Sequence, residues 1–237
     1  MTVRLFHVSD LHFGTEDRAA LAWFAAIVAA ERPDAVVMTG DLTASARRRE
    51  FAAACRYLVG LGVPVTVELG NHDMPMWNLW ERLTDPYRRF ASLERAVERP
   101  LALPGVVIAP LQTATRAQLR SNWAEGIVRP HRLAATLGLL AAAAPGDVKL
   151  VACHHPLGGG GARHATRGGG RALAALAAAG VTAVLSGHTH DAFDIVAGGV
   201  RLIGAGTLSA RTRLSRPSFN RLTIDAGALA VTAQVME

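Results

Sequence analysis

Apolar residues along this chain fall into two rhythms: short unbroken runs, and longer stretches with a helical period. Val3 to Ser9 is a β-like run that ends in Asp10-Leu-His12-Phe-Gly14. Thr15 to Glu31 then places Leu21, Phe24, Ile27 and Val28 on one helical face, with Thr15 as cap and Glu16 and Asp17 in the first turn. Pro33-Asp34 breaks that helix. Ala35-Val-Val-Met-Thr39 predicts a short strand buried on both faces and leaving through Gly40-Asp41. Thr43 opens a second helix to about Val59, stopped by Gly60 and Gly62. A third strand, Val63-Pro-Val-Thr-Val-Glu68, delivers Leu69-Gly-Asn-His-Asp73. Strands alternating with helices in this way predict a layered α/β fold with parallel strands.

The rhythm then changes. Met76 to Arg99 predicts one or two helices interrupted at Asp85-Pro86, carrying Trp77, Trp80, Tyr87 and Phe90 beside Arg82, Arg88 and Arg89. Such an excursion between strands is either a cap over the strand ends or aromatic packing against the body. Leu101 to Leu111 offers one or two short strands, and Thr113 to Ile127 a loop. A helix follows from Pro130 to about Ala144, then a strand from Val148 to Ala152 that ends in Cys153-His154-His155-Pro156. The Gly-rich Leu157 to Gly170 holds Arg163, His164 and Arg167. A helix over 172–179 and a strand over 181–185 lead into Ser186-Gly187-His188-Thr189-His190. From Phe193 to Val235 the pattern predicts three or four antiparallel strands, with hairpin turns at Gly198-Gly199 and Asp225-Ala-Gly227. No repeat or linker interrupts the 237 residues, so residues 1–237 are expected to form one domain, with 76–99 as its possible cap.

Composition narrows the class of partner without naming one. Half the residues are apolar, which excludes a disordered chain. The net charge is +6, and of the 25 cationic side chains only Lys149 is lysine. Arginine forks suit phosphate or carboxylate, so an anionic partner fits, as does a whole-sequence preference for arginine. Cys55 and Cys153 lack zinc or redox spacing and are expected to be buried free thiols. No signal-peptide pattern and no run of eighteen apolar residues occurs, so the expected setting is soluble and cytoplasmic, with no transmembrane segment.

The candidate chemistry lies in what ends the strands. Asp10 and His12 end the first, Asp41 the second, Asn71 to Asp73 the third, His154 a later one, and His188 and His190 the next. Each block alone is compatible with a polar turn. In an open α/β sheet, however, the carboxyl ends of parallel strands form the ligand crevice, and five strand ends there carry the same class of group. Asp-x-His and His-x-His place alternate side chains on one side of an extended segment. Two aspartates, an asparagine and four histidines exceed the needs of one ion and suit two ions sharing a carboxylate. Oxygen and imidazole donors without thiolate point to manganese or iron, with zinc as a further choice. Two such divalent or mixed-valence ions hold a hydroxide at neutral pH and neutralise a phosphoryl transition state, which is chemistry for phosphoester hydrolysis.

The blocks Asp10-Leu-His12, Gly40-Asp41, Gly70-Asn-His-Asp73, His154-His-Pro156 and Gly187-His-Thr-His190 resemble, in order, the signature of the calcineurin-like metallophosphoesterases. The resemblance implies a four-layer αββα sandwich of two mixed β-sheets flanked by helices, with a dinuclear metal site at the strand ends. It implies one metal on Asp10, His12, Asp41 and His190, and another on Asp41, Asn71, His154 and His188, with Asp41 bridging. His72 resembles the residue that stabilises charge at the scissile phosphate or protonates the leaving oxygen, and Asp73 would orient it. His155 is expected to support or pack, and His7 and His131 to be structural. Phe13-Gly14, His154-His-Pro and Gly206-Thr-Leu-Ser209 look most like the bacterial cyclic-nucleotide phosphodiesterase group, which implies a small anionic phosphodiester substrate. Arg163 and Arg167 are candidates for its phosphate. A DNA nuclease of the same superfamily is the second reading, since repair nucleases share Gly-Asn-His-Asp and the charge fits nucleic acid. Scattered basic residues and the lack of an appended DNA-binding segment disfavour it. The UDP-diacylglucosamine pyrophosphatases carry an arginine where His72 stands here. A non-catalytic scaffold would have lost ligand residues, and all seven are present.

Overall fold

Continuous apolar runs need cover on both faces, and the chain supplies it with two sheets packed on each other and helices outside them. The computed structural model describes residues 1–119, 122–158, 166–212 and 215–237. The first sheet contains β1 (Val3–Val8), β2 (Ala35–Met38), β3 (Val65–Val67), β9 (Ser218–Asp225) and β10 (Ala228–Val235), in the order β10-β9-β1-β2-β3. The second contains β4 (Val106–Pro110), β5 (Val148–Ala152), β6 (Ala183–Ser186), β7 (Phe193–Ala197) and β8 (Val200–Gly204), in the order β4-β5-β6-β8-β7. Strands β1 to β3 are parallel, as are β4, β5, β6 and β8, while β7, β9 and β10 run antiparallel to their neighbours.

Period-two alternation sorts each strand between two cores. Val3, Leu5, Ala35 and Val37 face inward onto Leu150, Ala152, Leu185 and Ile203 of the other sheet. Phe6, Val8, Val36 and Met38 face outward to α1 (Arg18–Glu31), α2 (Arg48–Gly60) and α4 (Arg88–Val97), through Phe24, Leu58 and Phe90. On the far side, Val151 and Val184 pack under α5 (Pro130–Ala141) and α6 (Gly169–Ala178), through Leu140 and Leu176. The result is the expected αββα layering of two mixed sheets.

Several boundaries differ from the sequence reading, each for a local reason. Helix α1 starts at Arg18 because Asp17, not Thr15, accepts from Ala19 N and Ala20 N. Thr15 N instead donates to His12 O at 2.8 Å, closing the turn out of β1. Helix α2 starts at Arg48 and not Thr43, because Thr43 N and Oγ1 donate to the Asp73 carboxylate at 2.9 and 3.0 Å. The 76–99 excursion breaks near Asp85 into α3 (Leu79–Thr84) and α4, and its halves differ. Phe90, Leu93 and Val97 of α4 are buried in the body, whereas Leu79 and Trp80 of α3 are 60 and 79 % exposed. The last four strands form the two expected hairpins, at Gly198-Gly199 and Ala226-Gly227, all four residues having positive φ. They join different sheets, however, and β8 pairs parallel with β6 rather than lying in an all-antiparallel set. Cys153 is buried, but Cys55 is only half-buried. Among the described residues no helix is long and apolar enough to cross a membrane.

Candidate metal centre

The polar blocks leave their strands in an unexpected conformation. Asp10, His12, Asp41, His188 and His190 all have positive φ, between 46° and 70°. Only glycine adopts this region without cost, and non-glycine examples persist where surrounding structure over-determines them. The expectation that Asp-x-His and His-x-His act as extended segments is therefore corrected. Left-handed kinks at both ends of each triplet turn the side chains to one side. Cross-loop bonds hold the kinks: Asp10 N and His12 N donate to Gly40 O and Asp41 O at 3.0 Å each, and Gly187 N to His154 O at 2.9 Å.

These kinks bring the predicted residues together. His12 Nε2 lies 3.2 Å from His190 Nε2 and 3.6 Å from Asp10 Oδ1 and from Asp41 Oδ2. On the other side of Asp41, His154 Nε2 lies 3.4 Å from Asp41 Oδ1 and 3.0 Å from Asn71 Oδ1, which is 3.1 Å from His188 Nδ1. The two oxygens of Asp41 thus face different donor quartets. All but His188 are buried.

Hydrogen bonding at the far ring nitrogens fixes what the near ones present. His154 Nδ1 donates to Thr39 O at 2.8 Å and His190 Nδ1 to Arg211 O at 2.6 Å. Their Nε2 lone pairs then point at the centre, the arrangement by which metal-binding imidazoles are held. Asp10 Oδ1 is buried with no hydrogen-bond donor, 3.2 Å from His190 Nε2. Lone pairs facing lone pairs in a buried site need a cation between them, so the donor set fits metal. Without metal, protons take that role. Burial opposes charge on His154, yet Asp41 and Asp10 raise its pKa to about 9. Burial alone would raise Asp41 and Asp10, but the surrounding histidines hold both below the ordinary carboxylate range.

His72 sits at the rim. Its backbone N–H donates to Asp41 Oδ1 at 2.8 Å, its Nδ1 is 2.8 Å from Ala44 O, and its Nε2 faces Arg211 Nη1 at 3.2 Å. Burial, with help from His12 and Arg211, lowers its pKa. The expected Asp73–His72 pairing is corrected: Ala44 orients the ring. Asp73 instead accepts from Leu42 N, Thr43 N, Thr43 Oγ1 and Gly70 N, tying the β2 exit to the β3 exit. Burial and the nearby Asp41 push it up to about 6. His155 spends both nitrogens, on Thr113 Oγ1 and Ala124 O, and its ring lies 4.7 Å from that of His154 and 4.5 Å from that of His188, close enough for the three to form a donor group. His7 is buried between Thr39 and Asn220, while His131 is exposed.

The arginine expectations fare differently. Arg163 lies outside the described residues. Arg167 is exposed and lines a surface pocket with Leu83, Trp123 and Arg171 that includes none of the metal-centre residues. Among the described residues the arginine at the centre is Arg211, with Nη1 3.3 Å from His12 Nδ1 as well as 3.2 Å from His72 Nε2. Its one sequence signal is its place two residues after Gly206-Thr-Leu-Ser209. That segment anchors Asp10, since Thr207 Oγ1 donates to Asp10 O at 2.6 Å.

Two glycines make the convergence possible by lacking a side chain, not by turning sharply. A Cβ at Gly70 would overlap Asp41 N, and one at Gly187 would overlap Ser9 Oγ and lie 2.5 Å from Asp10 Oδ2. Gly187→Ala is expected to lower stability by about 1–3 kcal/mol, the scale of overpacking, and to weaken metal uptake by displacing Asp10. Thermal denaturation with metal analysis checks this; a variant with unchanged Tm and metal content would contradict the packing.

Residues 3–192 match the family model of the calcineurin-like phosphoesterases, and the chain belongs to that family. Family and donor cluster together support a metal-dependent phosphoester hydrolase with a dinuclear site. Solved structures share the fold at low identity. A dimetal phosphatase from Danio rerio is 12% identical, with 93% of this chain and 92% of that one covered and a TM-score of 0.68. A purple acid phosphatase from yellow lupin (Lupinus luteus) seeds is 12% identical at a TM-score of 0.69, over 100% of this chain and 53% of that one. GAP50, the anchor in the inner membrane complex of Plasmodium, is 14% identical at 0.66, over 98% and 84%. No curated protein sequence matches the chain.

Proposed function

We propose that the chain hydrolyses a small anionic phosphodiester, a cyclic nucleotide or similar, at a two-metal centre. The observation that carries this reading is the division of donors about Asp41, with His12 on Oδ2 and His154 on Oδ1. Asp10, His12, Asp41 and His190 would hold one ion, and Asp41, Asn71, His154 and His188 the other, with manganese or iron favoured by the donors and zinc also accommodated. Such a pair of ions, when bound, neutralises phosphoryl charge and activates water.

The chain's own groups do the rest. Arg211 offers a guanidinium at the rim for the substrate's anionic oxygens. His72, fixed through Ala44, presents Nε2 to the same space and serves as the proton-handling group. A cavity of about 230 Å³ lined by Asn71, Met76, Leu79, Arg82 and Trp123 opens beside the centre and would receive an organic substituent of the ester. In this reading α3 caps the site while α4 anchors it.

The test compares bis(p-nitrophenyl) phosphate with p-nitrophenyl phosphate, with manganese present. Faster turnover of the diester is expected; preference for the monoester would remove the diesterase assignment, and turnover of neither would remove the enzyme. Arg211→Ala is expected to raise KM for the diester about tenfold, as for loss of one charge-assisted contact, with metal content unchanged. An unaltered KM would leave Arg211 without a substrate role. The nuclease reading rests on the shared Gly-Asn-His-Asp block and the +6 charge. Cleavage of linear DNA that disappears in Asn71→Ala would favour it.

A further inference from the structure

The sandwich has an open side where β3 and β4, the end strands of the two sheets, approach each other between α4 and α5. A cavity of about 580 Å³ lies there, lined by Glu68, Glu94, Glu98, Leu101, Leu103 and Ile108 among others. None of the metal-centre residues lines it.

Glu68 is the anomaly in this cavity. It is 7% exposed, and among the described residues no group hydrogen bonds or ion-pairs to its carboxyl. A buried carboxylate ordinarily has a paired cation or donors. Glu98 is satisfied, because Thr66 Oγ1 and Val67 N donate to it at 2.9 and 3.0 Å. Glu94 is half-buried nearer solvent. Burial, then the charges of Glu98 and Glu94, push Glu68 well above the usual carboxylate range. Glu68 thus lies near two other carboxylates and has no partner of its own among the described residues.

The walls decide what would fit. Leu101, Leu103, Ile108 and Leu139 give the cavity apolar patches, while the exposed Arg99 and Arg132 belong to its lining as well. The three glutamates are not among the groups whose donor atoms converge closely enough to hold an ion, which disfavours a metal. A cavity that combines apolar patches with a buried, unpartnered acid matches an ammonium head on an aliphatic stem. We propose that this cavity binds an organic ammonium ion, its nitrogen on Glu68 and its carbon chain against Leu101, Leu103 and Leu139. The head would make charge-assisted hydrogen bonds, and the stem would leave water.

Calorimetric titration of the metal-loaded full chain with n-hexylamine at neutral pH tests this, with n-hexanol as the uncharged control. One saturable site is expected, with Glu68→Gln and the alcohol each at least about tenfold weaker, as for a charged hydrogen bond lost. Ala135→Trp, at the exposed wall of the same cavity, should also weaken binding while keeping Glu68. That second variant decides the matter if Glu68→Gln does not fold. Equal affinity for the alcohol would make this a plain apolar cavity and overturn the proposal. So would absence of saturable binding, or affinity unchanged in the folded variants. Uptake of an additional manganese ion that Glu68→Gln abolishes would make it a metal site instead.

Discussion

Asp41→Asn is expected to empty both halves of the metal centre and to lower turnover by at least about 10³-fold, the scale on which loss of a preorganised charged group registers. The amide is nearly isosteric, and its oxygen can still accept the His72 N–H that Asp41 Oδ1 accepts at 2.8 Å. The loss would therefore reflect charge and coordination, not collapse of the loop. A ligand serving one ion only would leave the other in place, so metal analysis distinguishes a shared carboxylate from a private one. Retention of one ion per chain would contradict the bridge. The metal-free protein offers an independent reading. His154 is raised from 6.5 to about 9, with burial opposing and Asp41 the leading cause of the rise. A raised folded pKa gives stability that is complete below 6.5 and is lost as pH climbs through about 9. After chelation, wild-type stability should decline across that window, and Asp41→Asn should show a weaker decline. Equal slopes in chelated wild type and variant would remove Asp41 as the cause.

His72→Ala is expected to keep both metals and lower kcat by roughly 10²–10⁴-fold, the range for a general acid–base group. The prediction rests on placement: the ring reaches the centre's rim without a carboxylate partner, and its Nε2 faces Arg211. If His72 delivers a proton to the leaving oxygen, the loss should be smaller for a p-nitrophenyl ester than for an alkyl ester, whose alkoxide needs the proton more. Equal losses for both leaving groups would assign His72 to charge stabilisation. Loss of metal would place it among the ligands, for which its closeness to His12 and Asp41 gives a geometric basis.

Much of this was legible along the chain. The short apolar runs ending in polar blocks announced the strands, because a strand covered on both sides has no polar face to show. Strand alternation does not separate His155 from His154, since both lie past the end of β5 and their rings are 4.7 Å apart; what distinguishes His155 is that Thr113 and Ala124 engage both its nitrogens. The misreadings have a common origin. Thr15 and Thr43 are good caps by local rule, yet each is held elsewhere, Thr15 by the turn at His12 and Thr43 by Asp73, thirty residues away. Asp73 looked like a partner for its neighbour and is a tie between two strand exits. Arg211 could not be distinguished among so many arginines, because what places it is the packing of the 206–211 segment on Asp10.

The sequence by itself determined the alternation of strands and helices and the donor types at five strand ends, since both depend on residue identity and short-range period. It also gave the family. Tertiary structure decided the geometry: the left-handed kinks at Asp10, His12, Asp41, His188 and His190, the close approaches that exclude a side chain at Gly70 and Gly187, and the carbonyls that orient the imidazoles. Those depend on contacts between segments far apart in sequence, and a strained backbone angle is sustained by the surrounding packing, not by the residue that adopts it.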